Sequence, residues 1–215
     1  MTVNIWLLII SIIFGYLIGS VSFANIIVKK IKGEDINEIG SGNAGTTNVF
    51  RTAGFFPAII TFVLDMLKGS VAVLLPLLLA KLFKESYPAI YMMVGGVLAI
   101  LGHMFPVFFG FKGGKGMATF LGIILAINPL VFLINISFML VVILITRMVS
   151  IASISSAVLI PILTIFLNKH SILKEQNIYF VLTTILIGLF ILFKHRENIA
   201  RIKEGKENKI NLKKD

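Results

Sequence analysis

Apolar residues along this chain are gathered into long uninterrupted runs, with polar residues confined to the short gaps between them. Seven runs stand out, over about 4–28, 55–80, 88–103, 116–128, 130–147, 150–168 and 177–194. Runs of this length and apolarity predict helices that cross a bilayer, whose hydrocarbon core needs about 20 apolar residues. The gaps are not plain linkers. Three of them carry dense glycine, hydroxyl, amide and basic residues: Gly40–Arg51, His103–Thr119 and Lys194–Arg201.

Composition supports the membrane reading. Hydrophobic residues make up 57% of 215 positions and charged residues only 14%, more apolar surface than a soluble domain can bury. The net charge of +10 would suit nucleic acid, but the basic residues lie in short interhelical gaps and a tail, so no nucleic-acid partner is expected. The chain has no cysteine, which excludes disulfides, thiolate metal sites, a cysteine nucleophile and a lipoprotein anchor. The first run lacks a basic lead and a small-residue cleavage site, so it reads as a retained span.

Lysine and arginine also set the orientation. With the N-terminus outside, fifteen basic residues fall on inner segments, including Lys29, Lys30, Lys32, Arg51, Lys112, Lys115, Arg147 and eight from Lys194 to Lys214. Only Lys81, Lys84, Lys169 and Lys174 fall outside, and Lys68 lies within a span. This positive-inside bias predicts an all-α, polytopic membrane bundle of seven transmembrane helices, with the N-terminus outside and the C-terminus cytoplasmic. Residues 1–202 read as one integral-membrane domain and 203–215 as a charged, loosely ordered cytoplasmic tail. All three polar clusters then share the cytoplasmic side.

Their chemistry suits an anion. In the first, three glycines within six residues (Gly40, Gly42, Gly45) let successive N–H groups converge, with hydroxyls, amides and Arg51 around them. In the second, Gly110, Gly113, Gly114 and Gly116 interleave with Lys112 and Lys115 just before a new helix, whose N-terminus favours anions. In the third, His195, Asn198 and Arg201 recur at one-turn spacing. Within the second span, Asp65 and Lys68 share a helical face, either as a structural ion pair or in direct catalysis. Asn25, Asn128 and Asn135 read as helix-packing groups.

Other chemistries do not fit. Thr46 stands where a P-loop requires lysine. No inner pair of histidines or carboxylates has metal-ligand spacing, so neither metal nor cofactor is expected. No inner carboxylate is placed to orient His195 in a triad with Ser41. The histidine-and-aspartate box of many glycerolipid acyltransferases is missing, since Phe108, Glu175 and Ala200 lie five residues after the three histidines. A transporter for phosphate would need a matching constellation on the outer face, and a lipid-binding scaffold would need only diffuse lysines.

The segments GSGNAGTTNVFR, HMFPVFFGFKGGKGMAT and KHRENIARIKEG, in this order, resemble the bacterial acyl-phosphate:glycerol-3-phosphate acyltransferases of the PlsY type. The resemblance runs from Gly19-Ser20 to about Gly205. It departs at Ser22, where proline is expected, and at Lys206, where threonine is commoner. It implies a multi-pass enzyme of the bacterial inner (cytoplasmic) membrane that transfers a fatty acyl chain from acyl phosphate to the 1-hydroxyl of glycerol 3-phosphate. The products are lysophosphatidic acid and phosphate, in the first step of phospholipid synthesis. The partners implied are these two substrates and membrane lipid, with the soluble enzyme that forms acyl phosphate as a candidate for functional coupling.

Both substrates carry phosphate, which accounts for the gathered cations. Under this resemblance Ser41, Arg51, Lys112 or Lys115, His195 and Asn198 are the expected catalytic, phosphate-holding groups. Gly42, Asn43, Gly45, Thr46, Thr47, Asn48, Gly113, Gly114, Gly116 and Arg201 are the expected substrate-binding ones. The base for the 1-hydroxyl is either His195 or the substrate's own phosphate.

Overall fold

The computed structural model describes residues 3–173 and 177–210; Lys174, Glu175, Lys213 and Lys214 lie outside them. Among the described residues there are ten α-helices, two short 3-10 turns and no strand. Five helical segments are long and apolar enough to cross a membrane, or six if one bent pair is a single span.

Helix α1 (Ile5–Gly19) starts where the Asn4 side chain accepts from the Trp6 and Leu7 N–H groups. The chain then breaks at Ser20–Ser22 and resumes as α2 (Phe23–Lys32), so the first apolar run is two helices rather than one. Ser22, the departure from the expected proline, caps α2: its Oγ accepts from the Asn25 N–H at 3.5 Å and from Asn25 Nδ2 at 2.9 Å. Lys29, Lys30 and Lys32 crowd the last turn, and Gly33 closes it with φ +75°.

The rest follows the apolar runs closely. Helices α4 (Phe55–Leu82), α5 (Pro88–Met104), α6 (Met117–Ile127), α7 (Pro129–Thr146), α8 (Val149–Phe166) and α9 (Asn177–Lys194) lie within a few residues of their expected limits. Two smaller helices, α3 (Thr46–Ala53) and α10 (Arg196–Lys203), fold from polar segments. Helix α6 is the exception in length. Eleven residues span only about 16 Å, short of a ~30 Å hydrocarbon core.

Short α6 is nevertheless the centre of the bundle. Phe120, Ile123, Ile124 and Ile127 are buried in one hydrophobic cluster with Met92 and Ile100 of α5 and with Phe180, Ile187 and Ile191 of α9. Between apolar helices in lipid, association depends on close van der Waals approach, which small residues permit. A side chain at Gly122 would strike the Met66 carbonyl of α4, and one at Gly69 the Thr119 carbonyl of α6. On the other side, Gly15, Gly19 and Gly102 bring α1 against α5 backbone to backbone. Gly122→Val is therefore expected to destabilise the fold by about 3 kcal/mol. Thermal unfolding in detergent should show the loss as a lowered Tm.

Candidate active site

The first glycine-rich segment is held by an asparagine turned inward. Asn48 of α3 is buried; its Oδ1 accepts from the Ser41 N–H at 2.9 Å, and its Nδ2 donates to the Ile36 and Ile39 carbonyls at 3.1 and 3.0 Å. Its amide is thus occupied in fastening the loop. Gly40 (φ +62°) and Gly42 (φ +66°) take the left-handed conformation that this turn demands. The turn leads to Gly45 at the start of α3, and the Thr46 hydroxyl there is buried with no hydrogen-bond partner among the described residues. Arg51 leaves the last turn of α3 exposed.

The second segment folds back under the end of α5. The Gly114 N–H donates to the His103 carbonyl at 3.0 Å. A side chain at Gly114 would strike His103 Nε2 and would come within 2.7 Å of the Ala44 carbonyl, so this glycine lets the two loops touch. Gly116, with φ +86°, starts α6. The third segment begins where the chain bends by 57° between α9 and α10. At the bend His195 is buried, with Nδ1 2.8 Å from the Ile191 carbonyl. A carbonyl only accepts, so Nδ1 carries the hydrogen and Nε2 is left for another partner.

The segments are joined to one another. Lys115 Nζ donates to Asn198 Oδ1, tying the second to the third. Asn198 Nδ2 donates to Glu207 Oε1 at 2.8 Å, and Arg201 Nε donates to Glu207 Oε2 at 3.0 Å. Glu207 is buried, and the Ile210 N–H donates to the Arg147 carbonyl at 2.7 Å, so residues 204–210 pack back onto the bundle. These polar contacts join the first residues of the charged tail to the bundle. Burial alone would push the Glu207 carboxyl up, but hydrogen bonds from Asn198 and Arg201 outweigh it and hold it below its ordinary value. Burial, followed by repulsion from Arg201, lowers the Lys115 ammonium to about 8.

All the residues expected from sequence, apart from Gly114, line one cavity of about 1550 Å³; Gly114 supports it from behind. The same cavity is also lined by apolar side chains of α4 and α7, among them Phe62, Ile136, Met139, Leu140 and Ile143. Such a lining can hold charged head groups and an extended hydrocarbon tail together. Sequence reasoning did not place Glu207, His103 or Asp65 in the wall, where the structure puts all three. From sequence Asp65 is either a structural ion pair with Lys68 or a group in direct catalysis, and His103 stands at the head of the second segment. Glu207 carried no sequence signal, being one acid in a charged tail.

Comparison with known proteins shows the family. A family model described as glycerol-3-phosphate acyltransferase matches residues 9–205. The glycerol-3-phosphate acyltransferase of Shouchella clausii is 40% identical over 206 residues, covering 96% of this chain and 97% of its own. That of Aquifex aeolicus is 41% identical over 199 residues, covering 92% and 96%. Two crystal structures of PlsY (YgiH), an integral membrane glycerol 3-phosphate acyltransferase, also superimpose. Its glycerol 3-phosphate form has a TM-score of 0.80 at 38% identity, covering 95% of this chain and 96% of that one. Its lysophosphatidic acid form has a TM-score of 0.78 at 36% identity, covering 95% of each. The chain belongs to the glycerol-3-phosphate acyltransferase family, and it is an integral membrane protein.

Proposed function

We propose that this protein transfers a fatty acyl group from acyl phosphate to the 1-hydroxyl of glycerol 3-phosphate, releasing phosphate. The observation that carries this reading is the convergence of the three basic, glycine-rich segments on one cavity that apolar side chains of α4 and α7 also line. Two phosphates close together need several cations and many N–H donors, and the cavity offers Arg51, Lys112, Lys115 and Arg201 with the turns at Gly42–Gly45 and Gly113–Gly114. The acyl carbon of a mixed anhydride is already activated, so alignment and charge neutralisation carry the reaction without a protein nucleophile. The Ser41 hydroxyl donates a hydrogen bond to phosphate in this scheme. Purified protein in lipid should form lysophosphatidic acid from palmitoyl phosphate and not from palmitoyl-CoA; product from the CoA ester alone would reject the donor assignment.

The site residues divide by what they touch. Ser41, Asn43, Arg51, Thr46 and Thr47 hold one phosphate with the first turn, and Lys112, Lys115, His195 and Asn198 hold the other with the second. Asn48 acts on the substrate through the loop that it fastens. On this assignment His195→Gln raises the glycerol 3-phosphate KM more than it lowers kcat, measured at saturating acyl phosphate. A collapse of kcat at saturation would give His195 the proton-transfer role instead. The ammonium of Lys115 is charged below about pH 8 and lost as pH rises through it. Glycerol 3-phosphate affinity is accordingly expected to weaken above about pH 8, and Lys115→Arg, which keeps its charge, should remove that limb of the KM profile.

The same reading places the cavity mouth, with the basic segments, at the cytoplasmic face of the bacterial inner membrane, the C-terminus inside and the N-terminus outside. Seven crossings satisfy this if short α6 counts as one, buried among its neighbours, and if residues 1–202 are the membrane domain. The chain has no cysteine, so single introduced cysteines at Lys84 and Lys112 can be probed with an impermeant thiol reagent. Labelling from outside only at position 84 is the expected result.

A further inference from the structure

The turn between α5 and α6, which carries the second basic segment, also bears large apolar side chains that pack against nothing. Phe105, Val107, Phe108 and Phe111 are all exposed, Phe108 by 60% and Phe111 by 58%. Phe111 borders the cavity as well, immediately before Lys112. Its backbone is strained. Phe111 has φ +61°, directly after Gly110 at +59°, so two successive residues take the left-handed conformation. Glycine adopts it freely, but a bulky aromatic there is an outlier, and such strain persists where the residue is put to use.

The placement of the turn shows what covers these rings. Helix α5 has 17 residues and is about 25 Å long, short of a ~30 Å hydrocarbon core. The apolar segment long enough to cross runs on through the turn, over Pro88–Phe109. Two other spans hold its start. The Tyr16 hydroxyl of α1 donates to the Phe105 carbonyl at 2.8 Å, and the Lys194 ammonium at the end of α9 lies 4.9 Å from the Phe105 ring centre. Backbone pairing also suits an apolar medium, where free N–H groups are costly. The Phe109 and Phe111 N–H groups both donate to the Pro106 carbonyl, at 3.1 and 2.9 Å, and Pro106 has no N–H of its own. Lys112 after the rings and Lys194 on the first of them set cations where anionic head groups would lie. A protein partner would have to displace lipid from a turn that completes a membrane span.

We propose that Phe105–Phe111 is a lipid-inserted threshold to the cavity. Val107, Phe108 and Phe111 occupy the boundary between head groups and acyl chains, and Phe111 passes the acyl donor from the bilayer to the cations behind it. The partner of this surface is the bilayer itself. The role of Phe111 rests on the acyl-phosphate reading above, whereas the lipid contact does not. An amphiphile in the leaflet presents its phosphate at head-group level with its tail below. A ring that meets lipid and cavity together gives the first methylenes an apolar surface while the phosphate reaches Lys112 and Lys115. Glycerol 3-phosphate has no tail and gains nothing from the ring.

Trp6 is the only tryptophan, so Phe108→Trp and Phe111→Trp in a Trp6→Phe background each carry a single reporter. In bilayers, lipids brominated on the upper acyl chain should quench both strongly and aqueous iodide only weakly; the reverse overturns the lipid contact. Phe111→Gly is expected to raise the palmitoyl phosphate KM about tenfold and to keep the glycerol 3-phosphate KM within about twofold. Its Tm should stay at or above that of the wild type, because glycine takes the left-handed conformation without strain. An unchanged palmitoyl phosphate KM overturns the role of Phe111. A lowered Tm with both constants raised makes the ring a packing group and overturns it as well. Phe83→Ser, which removes an exposed ring at the far end of α4, should leave both constants unchanged; an equal rise there counts against Phe111. A wild type inactive with both substrates, with the tryptophans quenched as expected, would overturn the acyl-phosphate reading and leave the lipid contact standing.

Discussion

Replacing Arg51 with alanine is expected to lower kcat/KM by about 10²- to 10³-fold while leaving the Tm close to that of the wild type. The argument begins with how α3 is built. Asn48 fastens the preceding loop by three hydrogen bonds, and the Thr52 hydroxyl returns to the Asn48 carbonyl at 2.9 Å. The helix is thus set without help from Arg51. The Arg51 side chain leaves the last turn exposed and borders the cavity, and no carboxylate pairs with it among the described residues. Arg201 differs, because its Nε is already spent on Glu207. A guanidinium with all its donors free can grip a phosphate through two parallel hydrogen bonds. Arg51→Lys keeps the charge but not the fork and should recover only part of the loss, giving steady-state kinetics an internal control.

Gly114→Ala is the second large effect. A Cβ there would strike His103 Nε2 and lie 2.7 Å from the Ala44 carbonyl. Real Cβ atoms are not found so close to backbone, so the two glycine-rich loops must move apart. A displacement of about 1 Å between reacting groups can cost on the order of 10²-fold in rate, and kcat/KM should fall by about that factor. Overpacking by one methyl costs about 1–3 kcal/mol, so folded protein with a modestly lowered Tm is expected beside the kinetic loss. Activity near the wild-type level would mean that the loops need not touch for catalysis.

Much of this was legible in the sequence, for reasons that differ from element to element. Apolar length is a strong signal because lipid admits few alternatives, and α4, α5, α7, α8 and α9 begin and end close to where the runs do. The same signal does not resolve the break inside the first run, which is still one candidate span over Ile5–Lys32. Hydropathy does not see that Ser20 and Ser22 can end one helix and cap the next. It also gives α6 a full span when the chain provides eleven residues, since a helix buried in protein is as apolar as one facing lipid.

The site was legible because glycines, lysines and amides were concentrated beyond what loops require. Roles within it were less so. Asn48 has the composition of a ligand but faces its own loop, which only the fold reveals. Glu207 is one acid among lysines, and its bond to Asn198 depends on how the chain turns after α10. Asp65 and His103 stand 38 positions apart in sequence and meet because α4 packs along α5.

The most direct test of the central claim counts both products in one reaction. Protein in lipid would receive palmitoyl phosphate with and without glycerol 3-phosphate, and inorganic phosphate and lysophosphatidic acid would be measured together, with Arg51→Ala alongside. The account predicts equal amounts of the two products, formed only when both substrates are present and lost in the variant. Phosphate released without lysophosphatidic acid, or no reaction from folded protein at any acyl-chain length, would contradict it.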